Sequence, residues 1–157
     1  VFADEEKAKL TPESHLLKIV EARLEKLRAD IEILEKSPID EDPEIVEENA
    51  LRLSELCDEY DELQASSKHQ ISRALEELKF GPYLHRSVQN LSSGWKYKCA
   101  LAGAFIAKPD VLVIDEPSFL DAASTKWFID KLQEAEKMNT MILFISHKVA
   151  LLEAVCS

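Results

Sequence analysis

The sequence predicts a mostly helical α/β chain, an antiparallel helical hairpin followed by a βαβ unit. Three observations predict it. Two long stretches carry apolar residues stepping alternately by three and four, a Pro/Asp-rich break separates them, and two short runs of continuous apolar residues follow, with a helical stretch between.

The first helix is read over about Pro12 to Lys36. Leu17, Val20, Leu24, Leu27, Ile31 and Leu34 form one seam, and Thr11 stands as N-cap before a first-turn proline. Ser37 to Pro43 carries two prolines and three acidic residues and ends it. Val46, Asn49, Leu53, Leu56, Tyr60 and Leu63 then repeat the stepping, so two helices of similar length should close on each other over residues 11–66. Their charged faces, including Glu21, Glu25, Glu32, Glu48, Glu55 and Glu59, should point outward. A third helix is expected near Lys68 to Lys79, with Ile71, Leu75 and Leu78 inward and Phe80-Gly81-Pro82 ending it. Residues 67–157 form the second unit. In it, Ser92 or Ser93 caps a helix running through Ala107. Val111 to Asp115 and Met141 to Ile145 read as buried strands of the continuous-apolar kind typical of parallel sheets. A helix from about Ser124 to Lys137 joins them, and a last short helix begins near His147.

Composition excludes several classes. Hydrophobic residues make up 46% of the 157, enough for a packed core. The only glycines are Gly81, Gly94 and Gly103, so neither a P-loop nor a GxGxxG dinucleotide loop can be built from this sequence. Cys57, Cys99 and Cys156 are widely spaced, with no CxxC pair, as in a reduced intracellular protein. No apolar run approaches the length of a membrane span. Residues 1–80 hold 22 acidic and 11 basic side chains, whereas residues 81–157 hold 8 of each, so the net charge of −11 belongs to the first half. That half repels bare phosphate backbone and suits a basic protein surface.

Three short stretches carry candidate chemistry. Asp115 and Glu116 follow an apolar strand, at the carboxyl edge of a parallel sheet where ligands bind. A carboxylate there can hold Mg²⁺, and its neighbour can polarise an attacking water; a surface acidic pair is the plainer alternative. Ser92, Ser93 and Gly94 open a helix whose N-terminus offers hydroxyls, N–H groups and a positive dipole end to an anion, or simply a cap. His147, after the second strand, can reach a phosphate beside those carboxylates, or be an ordinary polar residue at a strand end.

Taken in order, these stretches resemble the C-terminal lobe of an ATP-binding cassette (ABC) ATPase over residues 80–157. Leu91–Gly94 resembles the LSGG signature, Val111–Glu116 resembles Walker B, Pro117–Asp121 resembles the D-loop, and His147 resembles the switch histidine. The ABC-F family fits best. Gly94-Trp95-Lys96 with Lys98 is similar to its GGW(R/K)xR run, and Trp127 to Leu132 to its W-L-E-x-x-L helix. Leu78 to Pro82 is similar to its approach to the signature, and residues 11–66 lie where that family inserts a helical arm. The sequence departs from the pattern at Ser93, which replaces the first signature glycine, and at Lys98, where arginine is usual. The 117–121 stretch is also one residue short.

The resemblance implies a cytoplasmic ATP hydrolase with ATP and Mg²⁺ as cofactors, acting on the ribosome in translation or ribosome biogenesis. Its partners would be a second ABC domain of the same protein and ribosomal protein, rRNA or tRNA, with no membrane. Asp115 would hold Mg²⁺, Glu116 would be the general base, and His147 would contact the γ-phosphate. Ser92, Ser93, Gly94 and Asp121 would contact nucleotide held by the other domain. With the P-loop half absent, the chain alone is expected to be inactive. The alternatives are an SMC-like ABC half, whose coiled coil also precedes the signature, and a regulatory lobe that has lost hydrolysis. A transporter's ATPase subunit would lack the hairpin.

Overall fold

The computed structural model describes residues 10–37, 42–117 and 120–155. Five helices and two strands follow in order: α1 (Pro12–Glu35), α2 (Pro43–Glu77), α3 (Ser93–Ile106), β1 (Val111–Asp115), α4 (Ala122–Lys137), β2 (Met141–Ile145) and α5 (Val149–Val155). Two 3₁₀ turns, Gly81–Tyr83 and Val88–Asn90, lie between α2 and α3.

Local chemistry accounts for the helix starts. Thr11 caps α1 by accepting the Ser14 N–H, and Asp42 caps α2 by accepting the Glu44 N–H; each helix has proline in its first turn, where a missing N–H costs nothing. The ends of α2, α3 and α4 use left-handed residues that are not glycine. After α2, Lys79 has φ 61°, its N–H reaches the Glu76 carbonyl at 2.9 Å, and the Phe80 N–H reaches Leu75 at 2.8 Å, a Schellman closure. Asn139 (φ 60°) closes α4 the same way, with Thr140 N–H on the Ala135 carbonyl, and Lys108 (φ 44°) follows α3.

The separate helix expected at 68–79 is instead the continuation of α2, a single helix of 35 residues. No glycine or proline interrupts residues 44–80, so nothing stops it. What changes near Ser66 is the inward stripe. Leu56 and Leu63 face α1, after which Ser67, Ile71, Ala74 and Leu75 are buried. The division at 66/67 is therefore not marked by any break in the backbone. Residues 38–41 of the expected turn, residues 118–119 and Cys156 lie outside the described residues.

Along the hairpin, Leu16, Val20, Leu27, Leu56 and Leu63 are buried, with Leu17, Leu24, Ile31, Leu34 and Tyr60 packed beside them. Toward the tip the seam opens, and Val46 is 41% exposed. Glu59 does not point outward as expected; it is half-buried and pairs with Arg23 of α1 at 2.7 Å. The base of the hairpin is part of the core. An added Cβ at Gly103 of α3 would stand 2.5 Å from Ile19 Cδ1 and 3.3 Å from Leu16 Cδ2, so α1 rests directly on α3 where a side chain is missing. On its other side, α2 is tied to the rest by Trp127 Nε1 donating to Glu77 (2.8 Å) and by Lys108 on Glu62 (2.6 Å).

β1 and β2 pair in parallel, with Val111 opposite Met141 and Asp115 opposite Ile145. Leu112 and Ile114 are buried, and Phe144 stacks at 5.8 Å on Phe128 of α4. The other face is bare, contrary to the expectation of strands buried on both sides. Val111, Val113, Met141, Leu143 and Ile145 are all about half or more exposed, because no described element lies over them. No helix among the described residues is long and apolar enough to cross a membrane.

The contact at Gly103 yields a test. Gly103→Val should destabilise the fold by about 1–3 kcal/mol through overpacking against Leu16 and Ile19. Gly103→Ala should be near neutral, since the flexible end of Ile19 can turn aside and alanine favours helix. Urea unfolding of both variants measures this, and a Gly103→Val protein as stable as its parent would show that α1 does not rest on α3.

Candidate functional site

The parallel pairing brings both strand ends, and hence Asp115, Glu116 and His147, to one edge of the sheet. Glu116 is the strained residue there, with φ 40°, a conformation that L side chains with a Cβ seldom adopt. Hydrogen bonds to β2 and to the turn after it hold the residue. Its N–H donates to the Ile145 carbonyl at 2.8 Å, and its Oε2 accepts the His147 N–H at 2.7 Å. The first extends the strand pairing by one residue; the second ties the turn after β1 to the turn after β2. Next to it, Ser146 Oγ accepts the Lys148 N–H at 3.1 Å and orders the same turn. The His147 side chain is left exposed.

Asp115 is also exposed, at the last position of β1. One exposed carboxylate at a sheet edge can offer a single oxygen to a hydrated divalent cation, but it cannot form an all-protein cage. Among the described residues no group of three or more His, Cys, Asp or Glu is placed to hold a metal.

Ser92, Ser93 and Gly94 form the first turn of α3. Ser92 is the N-cap by backbone geometry, but its hydroxyl makes no capping hydrogen bond, so the expected side-chain cap is not formed. Both serines are exposed, which leaves the helix N-terminus open to an anion. Among the described residues no hydrogen bond joins them to Asp115, Glu116 or His147.

Asp121 sits elsewhere. It is the N-cap of α4, accepting the Ser124 N–H at 2.9 Å, and its other oxygen accepts from Lys98 Nζ at 2.7 Å. Those bonds, from Lys98 first and then from Ser124, hold its carboxyl well below the usual carboxylate range. A lowered folded pKa means the pair is fully formed above the ordinary carboxylate range and is lost only as pH falls through the lowered value.

Two neighbours were not foreseen from sequence. Tyr97, one turn into α3, has its phenol pushed above the ordinary value by burial and by the negative charges of Asp115 and Glu116. Lys98 is buried, with Nζ 4.6 Å from the Trp95 ring centroid as well as on Asp121. No spacing rule links positions 98 and 121; only the GGW-like run hinted that Lys98 has a role. A cavity of about 230 Å³, between α2, α3 and α4 and lined by Arg73, Glu77, Phe105, Trp127 and Lys131, lies away from the carboxyl ends of the strands, toward their amino ends at Leu112 and Thr140.

Comparison with known proteins supplies the family. A family model described as ABC transporter matches residues 4–119, which takes in Ser92–Gly94, Asp115 and Glu116 and leaves Asp121 and His147 beyond it. Among similar proteins, the [NU+] prion formation protein 1 of Saccharomyces cerevisiae is 37% identical over 99 residues, covering 62% of this chain and 8% of that protein. Elongation factor 3 of Gonapodya prolifera is 37% identical over 92 residues, 57% of this chain and 8% of its own length. The ABC transporter ATP-binding protein NatA of Bacillus subtilis is 34% identical over 99 residues, 60% of this chain and 40% of NatA. The matches thus span less than half the length of each of these relatives. With well over half of its residues matched by the model, the chain belongs to the ATP-binding cassette family.

Proposed function

We propose that this chain is the signature and Walker B lobe of an ABC-F-type ATPase acting on the ribosome, one side of an ATP sandwich. The observation that carries the catalytic part is the union of Glu116 and His147 at the edge of a parallel sheet, beside an exposed Asp115. In this reading Asp115 would hold Mg²⁺, whose charge would offset that of the nucleotide phosphates. Glu116 accepts the proton of the attacking water, and its carboxylate moves from the His147 N–H to that water when nucleotide is present. His147, exposed beside it, donates to the terminal phosphate. Ser92, Ser93 and Gly94 meet nucleotide gripped by a second ABC domain, through hydroxyls that the helix does not use. The bare face of β1 and β2 is covered by the remainder of the nucleotide-binding domain, which brings the P-loop that this sequence lacks.

Two features support ABC-F over a transporter subunit: the α1–α2 hairpin before the signature, and the Trp95–Lys98 run at it. Elongation factor 3 among the relatives supports a place in translation. The hairpin's outer half, acidic and partly opened at its tip, meets basic ribosomal protein. A cytoplasmic location goes with that reading.

In the protein that joins this lobe to its P-loop half, Glu116→Gln should lower ATP turnover by roughly two to four orders of magnitude. It should also lengthen the nucleotide-bound, ribosome-associated state. Glutamine can still accept the His147 N–H, so the fold should melt unchanged. Steady-state hydrolysis equal to the parent's would favour a regulatory lobe that has lost hydrolysis.

The hairpin's role is tested by shortening it outside the core. Replacing residues 29–54 with a short Gly-Ser turn spares the buried Leu27 and Leu56. Ribosome co-sedimentation over a salt series should show weaker binding and a flatter salt dependence, because fewer charges are left to be screened. Unchanged affinity and slope would make the hairpin a packing element only.

A further inference from the structure

Lys98 presents a second problem. A lysine only 6% exposed carries a charge that is costly to bury unless it is paired. Here Nζ has two partners from different parts of the chain. Asp121 Oδ2 accepts from it at 2.7 Å, and the Trp95 ring lies beneath it at 4.6 Å. Trp95 is itself held. Phe80 meets it edge-on at 4.9 Å and Tyr83 lies against it at 4.4 Å, and both residues belong to the segment that leaves α2. The other Asp121 oxygen caps α4.

Resting on the function proposed above, we infer that Lys98 is a positioning residue, joining the exit of the hairpin, the signature helix and the start of α4 into one body. The chain of contact runs from Phe80 and Tyr83 to Trp95, from Trp95 to Lys98, and from Lys98 to Asp121. Each link is specific. The aromatic contacts fix the plane of Trp95, and an ammonium prefers the ring face. Because Asp121 uses one oxygen for Lys98 and the other for Ser124, a shift of α3 reorients the residue that ends the loop following Walker B. Movement of α2 reaches that loop by the same path. Asp121 remains ionised across the working pH range, so the link does not switch with pH. Lys98 touches no nucleotide in this account; it acts through Asp121.

The test uses the complete protein with Lys98→Met, Asp121→Asn, the double variant, Lys98→Arg, and Trp127→Phe as a control that loosens the α2 contact at Glu77 instead. Lys98→Met and Asp121→Asn should each lower kcat about tenfold, with KM for ATP unchanged in Lys98→Met. The double variant should be no worse than either alone. Lys98→Arg should retain most activity, and Trp127→Phe should keep its kcat even if it melts earlier. A loss of kcat that tracks melting temperature across all variants, Trp127→Phe included, would overturn the inference. So would parental kcat in Lys98→Met when Glu116→Gln is inactive. Amide exchange in the nucleotide-free protein gives a readout free of hydrolysis. The first turn of α4, around Ser124, should exchange faster in Lys98→Met, and unchanged exchange there would contradict the link. Failure of the parent protein to hydrolyse ATP would count against the proposed function, and the exchange result would still decide this inference.

Discussion

The close approach of α1 to α3 at Gly103 sets the position of nearly everything else. α3 buries Lys98, Cys99, Leu101, Ala102, Gly103 and Ile106, so it is covered on several sides at once. A helix so placed needs a small residue where a neighbour's side chains press in, and Gly103 supplies it under Ile19 and Leu16. With α1 seated there, α2 must cross to the other side, where Glu77 meets Trp127 and Glu62 meets Lys108. The hairpin is therefore rooted in the same core that carries the signature turn. Cys99 lies at the centre, its thiol pushed up to about 11 by burial, and serves as a small apolar side chain rather than a nucleophile.

The other end of the molecule is built on a different constraint. Parallel strands place their carboxyl ends together, and Glu116 must then turn sharply to leave the sheet. Its φ of 40° is a local cost, held by bonds to Ile145 and His147. The strained residue is the one whose side chain is proposed to act. Fold and chemistry meet in that residue, since the same turn that ends β1 points its carboxylate at the turn after β2. The sheet is finished on one face only, and the bare row from Val111 to Ile145 is apolar enough to require cover.

Much of this was legible in the sequence, for physical reasons. Both strands were read with their observed bounds, because continuous apolar runs flanked by polar residues have few other solutions. Thr11 and Pro12 mark the start of α1, and the stepping finds the seam at Val20, Leu27, Leu56 and Leu63 while missing Leu16 and including the exposed Val46 and Asn49. The length of α2 was misjudged because its inward stripe changes register near Ser66, as one helix leaves α1 and meets α3 and α4. A change of neighbour looks like a change of element when only periodicity is read. The sequence assigns the stop to Phe80-Gly81-Pro82, whereas Lys79 is the residue that takes the left-handed position. The motif residues stood out by type and order, yet the Lys98–Asp121 pair, the place of Tyr97 beside the carboxylates and the Glu116–His147 bond depend on packing between distant segments. The bare sheet face was not foreseen, since an apolar run says that a strand should be covered and not what covers it.

The central claim is that these residues complete a nucleotide site that they do not form alone. Titration calorimetry of the purified chain with ATP and Mg²⁺, compared with the same titration on a protein that adds the P-loop half, tests it most directly. The account predicts no resolvable heat of binding for the chain and saturable binding for the longer protein, because no loop here cradles the β- and γ-phosphates. Micromolar ATP affinity in the chain itself would contradict it.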